Sequence, residues 1–285
     1  MPMPLDPSAQ GATTEPRRHS HGWKDLVLYA LGIGAGRDEL GYLYERCPGG
    51  LRAFPTYAVV PAFPVVVELL ERAKVEMHLV LHGAQRVVAH APIPVEATLE
   101  TTGTLARIFD LRKLAQLDIE TRTTCEGRLL FETEWTIFVR GAGGVGPKRP
   151  ADQGRTARLP SDRAPDWTVE QRIAPEQALL YRLSGDINPL HADPAVAAKA
   201  GFGTTPILHG LCTYGFIARA AVARAAGGDA ARLKALYAEF RRPVWPGDML
   251  RTEGYDLGAG RIGLRALVEG RAEPVVRGGW AEIAS

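Results

Sequence analysis

Two kinds of hydrophobic pattern recur along the chain. Thr98-Leu99-Glu100-Thr101 and Leu117-Asp118-Ile119-Glu120-Thr121-Arg122 alternate apolar and polar positions. That is the period of two expected of half-buried antiparallel strands, whose successive side chains leave opposite faces. From His209 to Ala226 the apolar positions fall instead at Leu211, Tyr214, Ile217, Ala218, Ala221, Val222 and Ala225, in an Ala-rich run that stops at Gly227-Gly228. This spacing predicts a long helix with an apolar face. The pattern also repeats at long range. Pro92-Ile93 followed by Leu99, Thr101 and Gly103 returns as Pro243-Val244 followed by Leu250, Thr252 and Gly254, at a constant offset of 151. Each copy leads into a strand-rich stretch with a tryptophan near its end, Trp135 or Trp280. A duplicated unit is expected, each copy laying a helix against a curved antiparallel sheet, which is an α+β arrangement.

Composition places the boundaries. Between Gly141 and Asp166 the chain reads Gly-Ala-Gly-Gly-Val-Gly-Pro-Lys-Arg-Pro and then more polar residues and proline, a stretch that cannot offset its ordering entropy by burial and so reads as a linker. The expected units are a disordered tail over 1–22, an amino-terminal half over 23–142, a linker over 143–166 and a carboxyl-terminal half over 167–285. The chain of 285 residues carries a formal charge of +2, with 46% hydrophobic and 23% charged residues. That balance lacks the basic excess of a nucleic-acid binder. The most apolar window, Tyr57 to Leu70, is broken by Pro61, Pro64 and Glu68, too short and interrupted for a membrane span. Cys47, Cys125 and Cys212 have neither disulfide-framework nor zinc-ligand spacing, which points to a reducing compartment. The final Glu282-Ile283-Ala284-Ser285 differs from the Ser-Lys-Leu peroxisomal address, so a cytoplasmic location is expected.

Candidate chemistry concentrates in Tyr181-Arg-Leu-Ser-Gly-Asp-Ile-Asn-Pro-Leu-His-Ala-Asp-Pro194. Gly185 permits a sharp reversal, and Pro189 fixes its own φ while holding Asn188 extended, so Asp186, Asn188 and His191 sit on a stiff loop and could converge. Asp193-Pro194 reads as an N-cap and first helical residue, opening a short helix over Ala195 to Ala200 that ends at Gly201. An acid/base pair is one reading of the loop. The other is that Asp186 and Asn188 only form Asx turns and that His191 only starts a helix.

Gly185-Asp-x-Asn-Pro-Leu-His191, then Ala200-Gly-Phe and Pro206-Ile-Leu-His-Gly-Leu-Cys-Thr213, resembles the hydratase 2 motif of the MaoC-like, (R)-specific enoyl-CoA hydratases. In the first half, Tyr29-Ala-Leu-Gly-Ile-Gly34, Leu43-Tyr-Glu45, Phe54-Pro-Thr56 and Val80-Leu-His-Gly83 are similar to the amino-terminal half of the two-domain members, among them the hydratase part of peroxisomal multifunctional enzyme type 2. The resemblance covers roughly Trp23 to the carboxyl end. It implies a double hot-dog fold, two curved sheets each wrapping a helix and joined edge to edge. It also implies (R)-specific hydration of trans-2-enoyl-CoA in fatty-acyl or sterol side-chain metabolism, with no metal or redox cofactor, coenzyme A entering only as part of the substrate, and a homodimer.

The resemblance carries the catalytic pair onto Asp186 and His191, with Asn188 orienting the water and the Gly210 backbone N–H binding the thioester carbonyl. The last role has a physical basis as well, because the free N–H groups and positive dipole end of the predicted helix point outward there. His82, Gly83 and Phe240 match coenzyme A contacts, and Arg241 beside Phe240 is a candidate phosphate partner. Only the carboxyl-terminal half is implied to keep the catalytic loop. The amino-terminal half is implied to have a broken helix, which Pro61 and Pro64 fit. Where the family has Asp-Lys-Gly, this chain has Asp110-Leu-Arg-Lys113. Leu111 thus replaces a lysine that holds coenzyme A, with Arg112 or Lys113 as its substitute. Acyl-CoA thioester hydrolysis and non-catalytic acyl-CoA binding are the competing functions within the same fold.

Overall fold

A computed structural model describes residues 5–150 and 154–285. In chain order its elements are β1 (Arg17–His21), α1 (Trp23–Gly32), α2 (Val59–Arg72), β2 (Val80–Ala89), β3 (Ala97–Asp110), β4 (Leu114–Cys125), β5 (Arg128–Arg140), β6 (Trp167–Arg172), α3 (Gln177–Tyr181), α4 (Pro194–Lys199), α5 (Gly210–Ala225), β7 (Leu233–Phe240), β8 (Met249–Asp256), β9 (Arg261–Val268) and β10 (Val276–Ile283). Short 3-10 turns connect several of these.

The strands form one 10-stranded sheet in the order β1-β3-β4-β5-β2-β7-β10-β9-β8-β6. Read from either edge, each half repeats the same order, and the antiparallel β2–β7 pair, Ala84 opposite Glu239 through Val88 opposite Ala235, joins them. This is a double hot-dog. The echo in the sequence falls on equivalent strands: Thr101 and Gly103 lie in β3, and Thr252 and Gly254 in β8.

Helix α5 begins and ends where the periodicity places it, but its burial goes further round than one face. Cys212, Gly215 and Phe216 are buried along with Leu211, Tyr214 and Ile217. The sheet of its own half covers one side, and the end of α1 covers the other. The Cys212 thiol donates to the Gly32 carbonyl at 3.2 Å. A Cβ on Gly215 would lie 2.2 Å from Ile33 Cγ2, so only glycine allows that approach.

Two expectations need correction. The amino-terminal helix is not broken: α2 runs unbroken for 14 residues with Pro64 inside it. Pro61 falls in the first turn, where an N–H would have no intrahelical partner, and Pro64 removes one bond. Burial of Val59, Ala62, Val65, Val66, Leu69 and Leu70 offsets that loss. Nor are residues 5–22 a disordered tail. Leu5 is buried, Asp6 binds Lys74 at 2.9 Å, and β1 pairs with β3 from Arg17 opposite Thr101 to His21 opposite Ala97. Edge-strand pairing satisfies the backbone, Arg17, Arg18 and Ser20 face water, and His21 is buried with its Nε2 bonded to the Pro94 carbonyl, so low hydrophobicity did not mean disorder. Residues 1–4 of that expectation lie outside the described residues.

The segment read as a linker is laid onto the molecule. A Cβ on Gly143 would sit 1.8 Å from the Arg112 carbonyl oxygen, and one on Gly146 would sit 2.6 Å from that of Ile108. Its glycines therefore serve close approach to the β3–β4 hairpin. Farther on, the Ala157 N–H donates to Gly278 and the Trp280 indole donates to the Arg155 carbonyl at 2.7 Å. Residues 151–153 lie outside the described residues. Among the described residues, no helix is long and apolar enough to cross a membrane.

Candidate active site

The loop after α3 turns at Gly185, whose φ of +126° lies in a region that side chains disfavour. Two Asx turns follow. Asp186 Oδ1 accepts the Asn188 N–H at 3.2 Å, and Asn188 Oδ1 accepts the Leu190 N–H at 3.0 Å. Asp193 then caps α4 by accepting from Ala195 at 2.7 Å, with Pro194 as the first helical residue. The turn-forming reading of these residues is therefore correct as far as it goes, and it is also what aims the loop.

His191 is buried, and its Nδ1–H donates to the Ile207 carbonyl at 2.9 Å. A carbonyl can only accept, so Nδ1 carries the proton and Nε2 keeps a lone pair. The neighbouring His209 donates its Nε2–H to the Asp186 main-chain carbonyl at 3.0 Å. The two imidazoles stack with centroids 3.7 Å apart and planes inclined by 28°. One carboxylate oxygen of Asp186 and one ring nitrogen each from His191 and His209 all lie within 4.8 Å of one another.

Burial sets the electrostatics. It raises the Asp186 pKa, opposed by the nearby imidazole of His191, and it lowers that of His191, opposed by the Asp186 carboxylate. His209 is pushed well below the usual imidazole range, by burial first and then by His191. A carboxyl moved up and an imidazole moved down approach each other in proton affinity, which suits exchange of one proton between them. The same three side chains are also close enough together to hold a metal ion.

Gly210 opens α5, and no side chain caps that end. Its N–H is thus available beside the acid/base pair, at the positive end of the helix dipole. The Phe240 ring covers this backbone: a Cβ on Gly210 would be 3.7 Å from it. Phe240 meets His82 edge-on at 5.0 Å, and His82 stacks on Trp135 at 5.2 Å with planes 9° apart. The register between β2 and β5 slips between His82 and Ala84, so Gly83 is a bulge that turns His82 to the inner face. A Cβ on Gly83 would lie 2.3 Å from the Phe138 ring. His82 donates to the Ala84 carbonyl at 3.1 Å, and burial lowers its pKa to about 4.

The structure therefore brings Asp186, Asn188, His191 and Gly210 together and places His82, Gly83 and Phe240 alongside them. It does not add the arginines. Arg241, one residue past the end of β7, lines an outer cleft of about 520 Å³ with Arg149, Glu239 and Arg277. Arg241 is thus placed on the outer surface, away from His82 and the Gly210 backbone that Phe240 touches. Arg112 and Lys113 occupy the β3–β4 turn, Arg112 with φ +69° and its N–H donated to Asp110 Oδ1 at 2.8 Å. β5 lies between that hairpin and the strand carrying His82. His209 is the residue the sequence pattern does not single out, although it stands directly before Gly210 in the motif.

Residues 157–273 match the MaoC like domain, and residues 19–141 match the MFE-2 hydratase 2 N-terminal domain. The chain is 39% identical to a protein of Arabidopsis thaliana named Enoyl-CoA hydratase 2, peroxisomal, over 83% of this chain and 82% of that one. Among solved structures it is similar to a MaoC-like dehydratase from Phytophthora capsici, with TM-score 0.86, 30% identity and 96% of each chain covered. A conserved hypothetical protein from Mycobacterium tuberculosis, described as having a double hotdog fold, aligns with TM-score 0.61 at 17% identity over 95% of this chain and 94% of that one. That last likeness concerns the fold alone.

Proposed function

This chain belongs to the MaoC-like, hydratase 2 family, and from that premise we propose that it is a hydro-lyase adding water across the 2,3 double bond of a trans-2-enoyl-CoA to give the (3R)-3-hydroxyacyl-CoA, and reversing that step. One observation carries the reading: a half-buried carboxylate and a buried imidazole, their pKa values moved toward each other, lie within 4.8 Å beside an uncapped helix N-terminus.

The water sits between Asp186 and His191 Nε2, with the free amide hydrogens of Asn188 directed at its oxygen. The thioester carbonyl accepts the Gly210 N–H, which stabilises the enolate-like oxygen as charge develops. The pair takes one proton from water and delivers one to C2 while hydroxide oxygen bonds to C3, so its protonation state is restored after each turnover. Both groups lie on one side of the substrate, giving syn addition. His82, Trp135 and Phe240 form an aromatic wall beside the thioester. Arg112 and Lys113 remain the candidates for the coenzyme A phosphates, in place of the lysine replaced by Leu111. The reading requires no metal or redox cofactor and takes the enzyme as a cytoplasmic homodimer. Three free thiols support a reducing compartment, and sedimentation would test the dimer.

The test is loss of enoyl-thioester absorbance with crotonyl-CoA and a longer trans-2-enoyl-CoA. Asp186→Asn and His191→Ala are each expected to lose about a hundredfold or more in rate. Folded variants with wild-type rates would refute the site. Release of free thiol without hydration would make the chain a thioesterase.

A further inference from the structure

We infer that His209 is a positioning residue, holding the Asp186 loop by its Nε2–H and the His191 imidazole by its ring face. The inference rests on the hydratase reading for what is positioned, but its geometry stands by itself.

His209 is anchored on every side. Its main-chain carbonyl accepts the Thr213 N–H at 3.2 Å, the first bond of α5, so its backbone is fixed to the helix. Its Nε2–H donates to the Asp186 carbonyl at 3.0 Å, which ties that helix to the catalytic loop. One face of the ring stacks on His191 at 3.7 Å. The Tyr181 ring lies 5.0 Å away at a tilt of 52°. The residue is 1% exposed, and its Nδ1 is buried without a partner. Asp186, His191 and the Gly210 N–H are thus held by one side chain whose own backbone adjoins Gly210. Rotation of the His191 ring about its Ile207 hydrogen bond would collide with the His209 face. Drift of the Asp186 loop would strand a carbonyl and an imidazole N–H together, each costly to bury unpaired.

Its role differs from that of the groups it holds. Nε2 is committed to a backbone carbonyl, and burial with the adjacent His191 keeps the ring neutral. It therefore adds no positive charge beside His191 and exchanges no proton with substrate. The equivalent position in the amino-terminal half, at the same offset of 151, is Ala58, where no Asp–His loop follows α1.

The experiment compares His209→Gln, His209→Phe and His209→Ala with wild type on crotonyl-CoA, measuring kcat and KM separately. Gln retains a donor for the Asp186 carbonyl, Phe retains the ring face alone, and Ala retains neither. Phe and Ala are expected to lose at least about tenfold in kcat with KM within about threefold, and Gln to recover most of the loss, as expected when a hydrogen bond serves only the transition-state geometry. A folded Phe variant with wild-type kcat overturns the inference, as does a Gln variant no better than Ala. Ring 15N spectra of the wild type give a second readout that needs no variant and no activity. Neutral His209 protonated on Nε2, with His191 protonated on Nδ1, is expected. A charged His209 or the opposite tautomer overturns the inference. If the wild type does not hydrate enoyl-CoA, the functional reading fails, while the spectra still decide whether His209 holds the loop.

Discussion

Replacing His82 should flatten the acid dependence of stability. In the folded protein His82 is packed between Trp135 and Phe240, and burial lowers its pKa to about 4 from the usual 6.5. The unfolded chain therefore binds the proton first as pH falls. Because stability follows the difference in protons bound, the contribution of a neutral His82 is complete above pH 6.5 and is lost progressively toward pH 4. At about 1.4 kcal/mol per pH unit, the fall from 6.5 to 5 removes about 2 kcal/mol, and the whole shift is worth about 3 kcal/mol. His82→Gln keeps a donor for the Ala84 carbonyl but cannot titrate. Urea unfolding of both proteins at pH 7, 6 and 5 isolates the term, since the buried His191 and His209 and the carboxylates act in both and cancel in the difference. The wild type should lose about 2 kcal/mol more than the variant between pH 7 and 5. Parallel pH profiles would show that His82 is hydrated or charged in the folded state, and that the aromatic wall is not packed as described.

Two further outcomes follow from packing and symmetry. Gly215→Ala places a Cβ 2.2 Å from Ile33 Cγ2 and should cost about 1–3 kcal/mol in denaturant unfolding, a loss that Ile33→Ala added to it should partly relieve; strict additivity would refute the contact. Calorimetric titration with a saturated acyl-CoA should find one site per chain, and two would mean that the amino-terminal half has kept a functional pocket.

What was legible in the sequence is what depends on local pattern. The α5 periodicity, the Asp193-Pro194 start of α4 and the alternation in β3 and β4 each record a face or a cap, and each lies where the pattern places it. The stiff loop from Gly185 to His191 could also be read, because glycine, proline and Asx residues determine its turns locally. What could not be read depends on partners distant in the chain. Burial on the sheet keeps α2 continuous through Pro64, and pairing with β3 orders Arg17–His21 despite its polarity. The tie from His209 to Asp186 joins residues separated by a helix and two turns.

The duplication explains why the proposed site has no copy in the amino-terminal half. Tyr29-Ala-Leu-Gly-Ile-Gly34 and Tyr181-Arg-Leu-Ser-Gly-Asp186 run in parallel from their tyrosines, and those two rings meet at 6.1 Å where the halves adjoin. Gly34 thus stands where Asp186 stands in the other copy. It has no room for a carboxylate, because even a Cβ there would lie 2.4 Å from the Phe216 ring of α5. The oxyanion position is closed as well. Val59, the counterpart of Gly210, donates its N–H to the Thr56 carbonyl in the 3-10 turn that runs into α2, whereas α5 follows an extended His209 and its first N–H groups stay free. Burying α5 on both sides requires a small, apolar surface from the amino-terminal half. The same differences that provide it, glycine in place of Asp and a continuous turn in place of an open helix end, leave that half without a counterpart of the Asp186 carboxylate or of the free Gly210 N–H. The lack of a second Asp186 and Gly210 in one half and the tight packing of α5 in the other are therefore consequences of the same residues.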